Sequence, residues 1–156
     1  MKKETKKQLL IGAALVLGLL FLLLYLNGRI DRLLDSDMSS EMILGQLLAR
    51  NNGILSDQWY YSTELRVLNT QLIYALFFRL SSNWHFVRMA STLVLWCVLI
   101  ASYGVLCRVM GCKKSFGVTA LLLAAPVSES YFRFVLAGVY YVPHLAIAFA
   151  ALALNE

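Results

Sequence analysis

Charged residues are scarce in this sequence, and their scarcity argues against an ordinary soluble domain. They make up 15% of the 156 residues, whereas hydrophobic residues make up 60%. Soluble domains average about 25% charged and roughly 45–50% apolar residues. The composition therefore predicts a protein that is built for lipid, and its length allows a single domain.

Motifs for several common chemistries are also absent. The chain contains no GxSxG, Walker, HExxH or CxxC motif, which argues against hydrolase, nucleotide-binding and zinc-dependent functions. The three cysteines, Cys97, Cys107 and Cys112, cannot all pair, and each lies inside or beside an apolar run. We therefore expect them to be inert, small apolar residues.

The basic residues flank the apolar runs instead of forming a stripe of their own. The formal net charge is +5, but four lysines precede the first apolar run, and Arg108, Lys113 and Lys114 follow the second. Such clusters mark the cytoplasmic ends of membrane spans. Because no basic stripe interleaved with aromatic residues is left, we do not expect nucleic acid as a partner.

The apolar runs predict an all-α, polytopic membrane protein with about four transmembrane helices. A span needs about 20 apolar residues, and residues 9–26 form a run without a charge. Since this run lacks a small-residue cleavage site, we interpret it as an uncleaved anchor with a cytoplasmic N-terminus. The predicted order is cytoplasmic residues 1–7, a span at 8–26, an outer loop at 27–88, a span at 89–107, a cytoplasmic loop at 108–114, and spans at 115–131 and 134–154.

The last two spans allow two interpretations. The uncharged stretch at residues 115–128 is short for a span, and the run after it is interrupted by Pro143 and His144. One interpretation is a hairpin of two spans, with Glu129 and Arg133 at its outer turn. The alternative is a re-entrant segment, which protein must shield from lipid.

The outer loop is predicted to contain two amphipathic helices that lie on the membrane surface. We expect Asp37 to be the N-cap of the first helix, and Asn51-Asn52-Gly53 to end it. The second helix is expected from about Glu64 to Leu80. The predicted apolar face of the first helix is Met38, Met42, Ile43, Leu47 and Leu48. The residues of an expected interfacial belt are Trp59, Tyr60, Tyr61, Trp84 and His85.

Three carboxylates, those of Asp35, Asp37 and Glu41, crowd the start of the first amphipathic helix, and Asp31 lies one turn upstream. If the helix starts at Asp37, Glu41 follows one turn later on the same face. Acids placed in this way can accept a proton from a hydroxyl or hold a divalent cation. They can also be a cap with favourable dipole charges on a solvated helix start. Spacing alone leaves both interpretations open.

Two further pairs of opposite charge occur in the chain. Glu64 and Arg66 could pair, with Tyr60, Tyr61 and Asn69 lining a polar groove above the membrane. The alternative is an amphipathic interfacial segment with aromatic anchors. Glu129 and Arg133 are one turn apart and could form a simple i,i+4 ion pair. Their functional interpretation is a second carboxylate and a phosphate-binding arginine that face the same outer cavity.

His144 follows Pro143 inside an apolar run. An ionisable group within a membrane segment is costly, and is therefore a hypothesis of function. A proline also frees nearby backbone carbonyls, which would open a polar pocket. The alternative is a histidine that hydrogen-bonds a neighbouring helix.

The order of these features resembles the start of GT-C superfamily membrane glycosyltransferases, such as protein O-mannosyltransferases and aminoarabinose lipid A transferases. The resemblance rests on DSDMSSEMILGQLLA, WYYSTELRVLNTQLIYALFF and YYVPH, which are similar to bacterial multispan proteins of the family-39-like group. It implies transfer of a sugar from a polyprenyl-phosphate donor outside the bacterial cytoplasmic membrane, with Asp37 or Asp35 as the catalytic acid. The candidate substrate-binding residues are Glu41, Glu64, Arg66, Glu129, Arg133 and His144.

The resemblance covers only an N-terminal portion of the family fold, which has more spans than this chain supplies. We therefore expect the chain alone to be inactive, and to act with further downstream spans or with a partner membrane subunit. If a metal takes part, Asp35 and Asp37 are the residues expected to hold a divalent cation. The alternative function is a small, non-enzymatic integral membrane protein whose outer loop anchors or binds a partner.

Overall fold

The computed structural model describes residues 2–61, 69–112 and 115–155 of the chain. The described residues are all-helical, with 73% helix and no strand, which confirms the predicted fold class. The helices are α1 (Lys2–Asn27), α2 (Ser36–Arg50), α3 (Thr70–Phe78), α4 (Trp84–Val109), α5 (Phe116–Ala124), α6 (Glu129–Tyr131), a π-helical segment (Phe132–Ala137) called the π-helix below, and α7 (Val142–Leu154).

Two of these helices are long and apolar enough to cross a membrane, α1 from Thr5 onward and α4. α5 and the helix Glu129–Ala137 meet the same criterion only as a pair bent by 87°, that is, as a broken span or a re-entrant segment. α7 has 13 residues, so at 1.5 Å per residue it is shorter than the roughly 30 Å core of a bilayer. The described residues thus support an α-helical membrane protein with two or three candidate spans, and the predicted count of four is not confirmed.

α1 presents large apolar side chains to its surroundings along much of its length. Leu9 is 74% exposed and Leu24 is 73% exposed, whereas Leu22 and Leu26, on another face, are buried. A continuous apolar surface of this kind is unfavourable in water and favourable in lipid. The burial pattern of α1 therefore agrees with the predicted membrane anchor.

The main hydrophobic core lies where α1, α4, the π-helix and α7 meet. Its fully or almost fully buried side chains include Leu26, Trp96, Leu136, Val139 and Val142. The indole Nε1 of Trp96 donates a hydrogen bond to the carbonyl oxygen of Leu136 over 2.9 Å. Because a buried indole N–H needs an acceptor, this bond fixes the π-helix against α4.

α4 begins earlier than the uncharged run predicts. The side chain of Asn83 accepts a hydrogen bond from the backbone N–H of Phe86 over 3.1 Å, which caps the helix one residue before Trp84. The predicted second span starts at Met89, with Arg88 as a charged residue outside it. Because the capped helix begins at Trp84, His85 and Arg88 both lie in the first two turns of α4.

α2 and α3 pack closely against each other. A Cβ atom added to Gly45 would lie 2.6 Å from the Cβ of Tyr74, so the two helices approach too closely there for a larger residue. Ile43, a member of the predicted apolar face of α2, is 46% exposed, whereas Glu41 and Leu44, which are not in that face, are buried. The side of α2 that packs against α3 therefore differs from the predicted apolar face.

The second outer-loop helix is shorter in the described residues than predicted. α3 starts at Thr70, where the side chain of Asn69 caps it through a 2.8 Å bond from the Thr70 N–H, and it ends at Phe78. The predicted segment 64–68, with the candidates Glu64 and Arg66, lies outside the described residues.

Candidate functional site

Asp35, and not Asp37, is the N-cap of α2. The Asp35 Oδ1 atom accepts a hydrogen bond from the Met38 backbone N–H over 2.9 Å. The Ser39 hydroxyl donates to the Asp35 carbonyl oxygen over 2.7 Å. The prediction that Asp37 is the cap is therefore wrong by two residues, since the helix starts at Ser36 and Asp37 lies within its first turn.

Tyr140, which lies 105 positions later in the chain, contacts the same carboxylate. Its hydroxyl donates a hydrogen bond to Asp35 Oδ1 over 2.6 Å. Burial and the neighbouring Asp35 carboxylate raise the pKa of the Tyr140 hydroxyl, so it stays protonated and acts as the donor. Burial raises the pKa of Asp35, but the bonds from Met38 and Tyr140 outweigh it, and the net pKa of Asp35 lies below its ordinary value.

Arg88 is buried behind this pair, with only 2% of its surface exposed. Its Nη2 contacts the sulfur of Met38 and donates to the carbonyl oxygen of Ala137 over 3.3 Å. Within the described part of the chain, Nε and Nη1 have no hydrogen-bond partner. A buried guanidinium with unused donors is costly, so stability alone does not account for an arginine at this position.

The two other acids of α2 differ sharply in their surroundings. Asp37 is exposed, and its carboxylate has no hydrogen-bond or ion-pair partner among the described residues. Glu41 is only 4% exposed; it accepts hydrogen bonds from the Thr70 hydroxyl and, over 3.4 Å, from Asn69 Nδ2. Although they are one turn apart, Asp37 faces outward and Glu41 joins α2 to α3.

An apolar cleft of about 350 Å³ lies between α3, α4 and α7. Its lining residues are Asn69, Leu72, Ile73, Leu95, Val98, Pro143, Ala146, Ile147 and Ala150. Asn69 is the polar member of this lining, and its side chain donates to Glu41. One end of the cleft is therefore joined by a hydrogen bond to the helix that carries the acids.

The segment between the π-helix and α7 has an unusual backbone. Val139 has a φ of +55°, a left-handed conformation that is strongly disfavoured for a β-branched residue. Such residues cost of the order of 1–3 kcal/mol and cluster at functional sites, as do π-helical turns. The sequence pattern does not predict this segment as part of the site; the local signal is Gly138, which precedes Val139 and two tyrosines.

The remaining predicted residues lie apart from Asp35 in the described contacts. Glu129 Oε1 and Arg133 Nη1 are 3.9 Å apart and both side chains are exposed, as expected for a simple i,i+4 pair. His144 is exposed, and its ring centroid is 6.1 Å from that of Tyr141. Pro143 lies in the first turn of α7, where it disturbs no hydrogen bond, and the cleft that it lines is apolar.

A different polar contact joins the C-terminal end of α1 to the N-terminal end of α4. The Nδ1 atom of His85 lies 2.9 Å from Asp31 Oδ2, and its Nε2 lies 3.1 Å from Asn27 Oδ1. Asp31 is therefore held in this contact and does not join the carboxylates of α2. The interfacial prediction for His85 did not include such a contact, because its partners lie more than fifty residues earlier in the chain.

The carboxylates of α2 do not fit a metal-binding site. No group of three or more His, Cys, Asp or Glu side chains that could hold a metal occurs in residues 2–61, 69–112 and 115–155. Asp35 Oδ1 already receives two donors, and Glu41 is directed into the packing between α2 and α3. A divalent cation shared by Asp35 and Asp37 is therefore not supported by the residues that surround them.

What the arrangement offers is an exposed carboxylate, Asp37, beside a capped and hydrogen-bonded one, Asp35. Both lie at the start of α2, and Asn69 joins Glu41 of the same helix to the lining of the apolar cleft. Comparison with models of protein families, with curated proteins and with solved structures gave no match to this chain. The interpretation of the site therefore depends on these residues and their geometry.

Proposed function

We propose that this protein is a membrane glycosyltransferase, or the N-terminal part of one, that transfers a sugar from a polyprenyl-phosphate donor to an acceptor outside a bacterial cytoplasmic membrane. The observation that carries the proposal is the position of the apolar cleft. The cleft meets the acid-bearing helix α2 at the hydrogen bond between Asn69 and Glu41. A lipid-linked sugar needs such a pairing of an apolar path for its chain with a polar surface above it.

Asp37 is the residue best placed to act as the base. Its carboxylate is exposed and has no partner among the described residues, whereas Asp35 accepts two hydrogen bonds. In the proposed reaction an acceptor hydroxyl oxygen attacks the anomeric carbon of the sugar and gives its proton to Asp37. The bond from that carbon to the phosphate oxygen breaks, and polyprenyl phosphate leaves with the electron pair.

The volume of the cleft suits one hydrocarbon chain. At the roughly 30 Å³ that a water-sized group occupies in a liquid, about 350 Å³ holds on the order of a dozen carbon centres. This corresponds to two or three isoprene units in the cleft, with the rest of the chain in the bilayer.

The proposed topology follows the basic clusters. The N-terminus lies in the cytoplasm, residues 27–88 lie outside, and α4 returns the chain to the cytoplasm. We propose that α5 and the helix Glu129–Ala137 form one bent element, and that α7 completes the fourth membrane segment with its packing against α4. The active protein includes further spans or a partner membrane subunit.

A photoreactive polyprenyl phosphate with a diazirine in its chain tests donor binding. The protein is placed in lipid nanodiscs, irradiated, and mapped by mass spectrometry. We expect labelling at Ile147 and Leu72 that unlabelled polyprenyl phosphate removes. Ala146→Leu, which fills the cleft, should reduce the labelling several-fold. Ala148→Leu, on an exposed face of the same helix, is the control and should not reduce it.

Two results would contradict donor binding in the cleft. One is labelling spread evenly over the exposed face of α1, unaffected by Ala146→Leu. The other is removal of the labelling by an ordinary phospholipid as effectively as by polyprenyl phosphate, since the cleft would then hold bulk lipid without selection.

A second function is favoured by one specific observation. Two of the three α2 acids have roles in the fold, Asp35 as the helix cap and Glu41 as the bond to Thr70. This would suit a non-enzymatic membrane protein whose outer loop binds a partner. The two functions differ in turnover, since only the first predicts that Asp37→Asn abolishes sugar transfer.

A further inference from the structure

The backbone next to the candidate site is strained at one residue. Val139 is fully buried, has a β-branched side chain, and adopts a φ of +55°. Glycine and asparagine adopt this left-handed conformation readily, whereas valine does not. A residue keeps such a conformation only when its surroundings hold it there.

Two side chains of α4 hold the chain on the N-terminal side of Val139. Trp96 Nε1 donates to the Leu136 carbonyl oxygen over 2.9 Å, and Arg88 Nη2 donates to the Ala137 carbonyl oxygen over 3.3 Å. Gly138 follows, where an added Cβ atom would lie 2.5 Å from the Arg133 carbonyl oxygen. The chain is therefore firmly positioned up to the strained residue.

On the C-terminal side, the connection to α2 is a single side-chain bond among the described contacts. It joins the Tyr140 hydroxyl to Asp35 Oδ1 over 2.6 Å. Since Asp35 is itself fixed by the Met38 N–H, this bond ties the strained segment to the start of α2. Losing it would remove the tie between this segment and α2, while the anchor on α4 remains.

We propose that residues 138–141 form a latch over the candidate site, which opens when the Tyr140–Asp35 bond breaks and Val139 relaxes. In the closed state Asp35 Oδ1 has two donors, the Met38 N–H and the Tyr140 hydroxyl. In the open state Asp35 keeps its cap bond to Met38, and Oδ1 can accept a hydrogen bond from another group in place of Tyr140. The latch is a property of the fold, and its test needs no enzymatic turnover.

The two forces in the latch act in opposite directions. The hydrogen bond from Tyr140 favours the closed state, and the left-handed conformation of Val139 favours the open state, because strain is present only in the closed state. Removing the Tyr140 hydrogen bond should therefore increase the population of open molecules.

Amide hydrogen exchange of the protein in lipid nanodiscs measures this population, because local opening controls exchange. The reporting peptides cover residues 137–143. Tyr140→Phe removes only the hydroxyl, and we expect about tenfold faster exchange, the effect of losing one hydrogen bond to a charged group. Tyr141→Phe alters the adjacent, exposed tyrosine and should leave the exchange unchanged.

Asp35→Asn provides a second variant that retains a capping side chain. It weakens the bond from Tyr140 by removing the charge, so it should speed exchange less than Tyr140→Phe does. Equal exchange in Tyr140→Phe and Tyr141→Phe would overturn the latch. So would an equal rise at Leu44–Leu48 in α2, since that would report general loosening.

Discussion

Glu41 of α2 accepts a hydrogen bond from the hydroxyl of Thr70, in the first turn of α3. Both residues are buried, with 4% and 1% of their surfaces exposed. Asn69, which caps α3, donates to the same carboxylate. An acid of α2, Glu41, thus holds the start of α3.

Removing the Glu41 carboxylate should destabilise the packing of α2 against α3. Glu41→Ala leaves the buried Thr70 hydroxyl with only its longer, 3.3 Å bond to Asn69 Oδ1, and we expect a loss of about 1–3 kcal/mol in the free energy of unfolding. Asp37→Ala removes an exposed acid from the same helix and should change it by less than about 0.5 kcal/mol. Thermal unfolding in detergent measures both. Equal effects of the two changes would contradict a structural role for Glu41.

The close approach of α2 and α3 gives a second stability prediction. Gly45→Ala places a methyl group 2.6 Å from the Tyr74 Cβ, and forcing the helices apart should cost about 1–3 kcal/mol. Gly12→Ala is the matched control, since nothing lies within 4 Å of an added Cβ there. That control should be neutral or slightly stabilising in a helix. A neutral Gly45→Ala would show that the helices are farther apart in solution.

The stability of the protein should depend on pH through Asp35. Its pKa is lowered in the folded state, relative to an ordinary value of about 3.9. The stabilisation is therefore fully present above the unfolded pKa, and it is lost as the pH falls through the lower folded pKa. Below about pH 4, the unfolding temperature of the wild type should fall more steeply than that of Asp35→Asn. Parallel curves for the two proteins would contradict the assignment.

Arg88 should contribute little net stability, because two of its three guanidinium nitrogens lack a hydrogen-bond partner among the described residues. Replacing a buried, incompletely bonded charge with an apolar side chain of similar volume is often neutral or stabilising. We therefore expect Arg88→Met to unfold at the same temperature as the wild type or a few degrees higher, whereas Arg88→Ala leaves a cavity and unfolds earlier. An Arg88→Met variant that is strongly destabilised would show that the charge has a structural role.

Much of the helical framework could be predicted from the sequence. Uncharged runs identify α1 and α4 because crossing a bilayer requires them, and Asn51-Asn52-Gly53 ends α2 as predicted, after Arg50. Their boundaries were less certain, since caps such as Asn83 and Asp35 set them. In the sequence pattern, neighbouring asparagine and aspartate residues are equally good helix caps. The pattern therefore does not distinguish Asp37 from Asp35, the residue that caps α2.

The contacts of the site could not be predicted. Asp35 and Tyr140 are 105 positions apart, and Arg88 was interpreted as a charge at the edge of a span. Periodicity reports which residues share one helix face, but it does not identify the helix that faces them. Val139 also has no sequence signal for a left-handed backbone, because only its surroundings hold it there.

The central claim is that Asp37 is the base for transfer from a lipid-linked sugar. The most direct measurement is transfer from a panel of radiolabelled polyprenyl-phosphate sugars, in native membranes that contain the protein. Asp37→Asn keeps the size of the side chain and removes its charge, and Ser40→Ala is an exposed control on the same helix. We predict that Asp37→Asn lowers transfer by roughly 10²–10⁴-fold at unchanged protein level and unfolding temperature, while Ser40→Ala retains it. Full transfer by Asp37→Asn would contradict the claim, and so would the absence of transfer from every donor by the wild type.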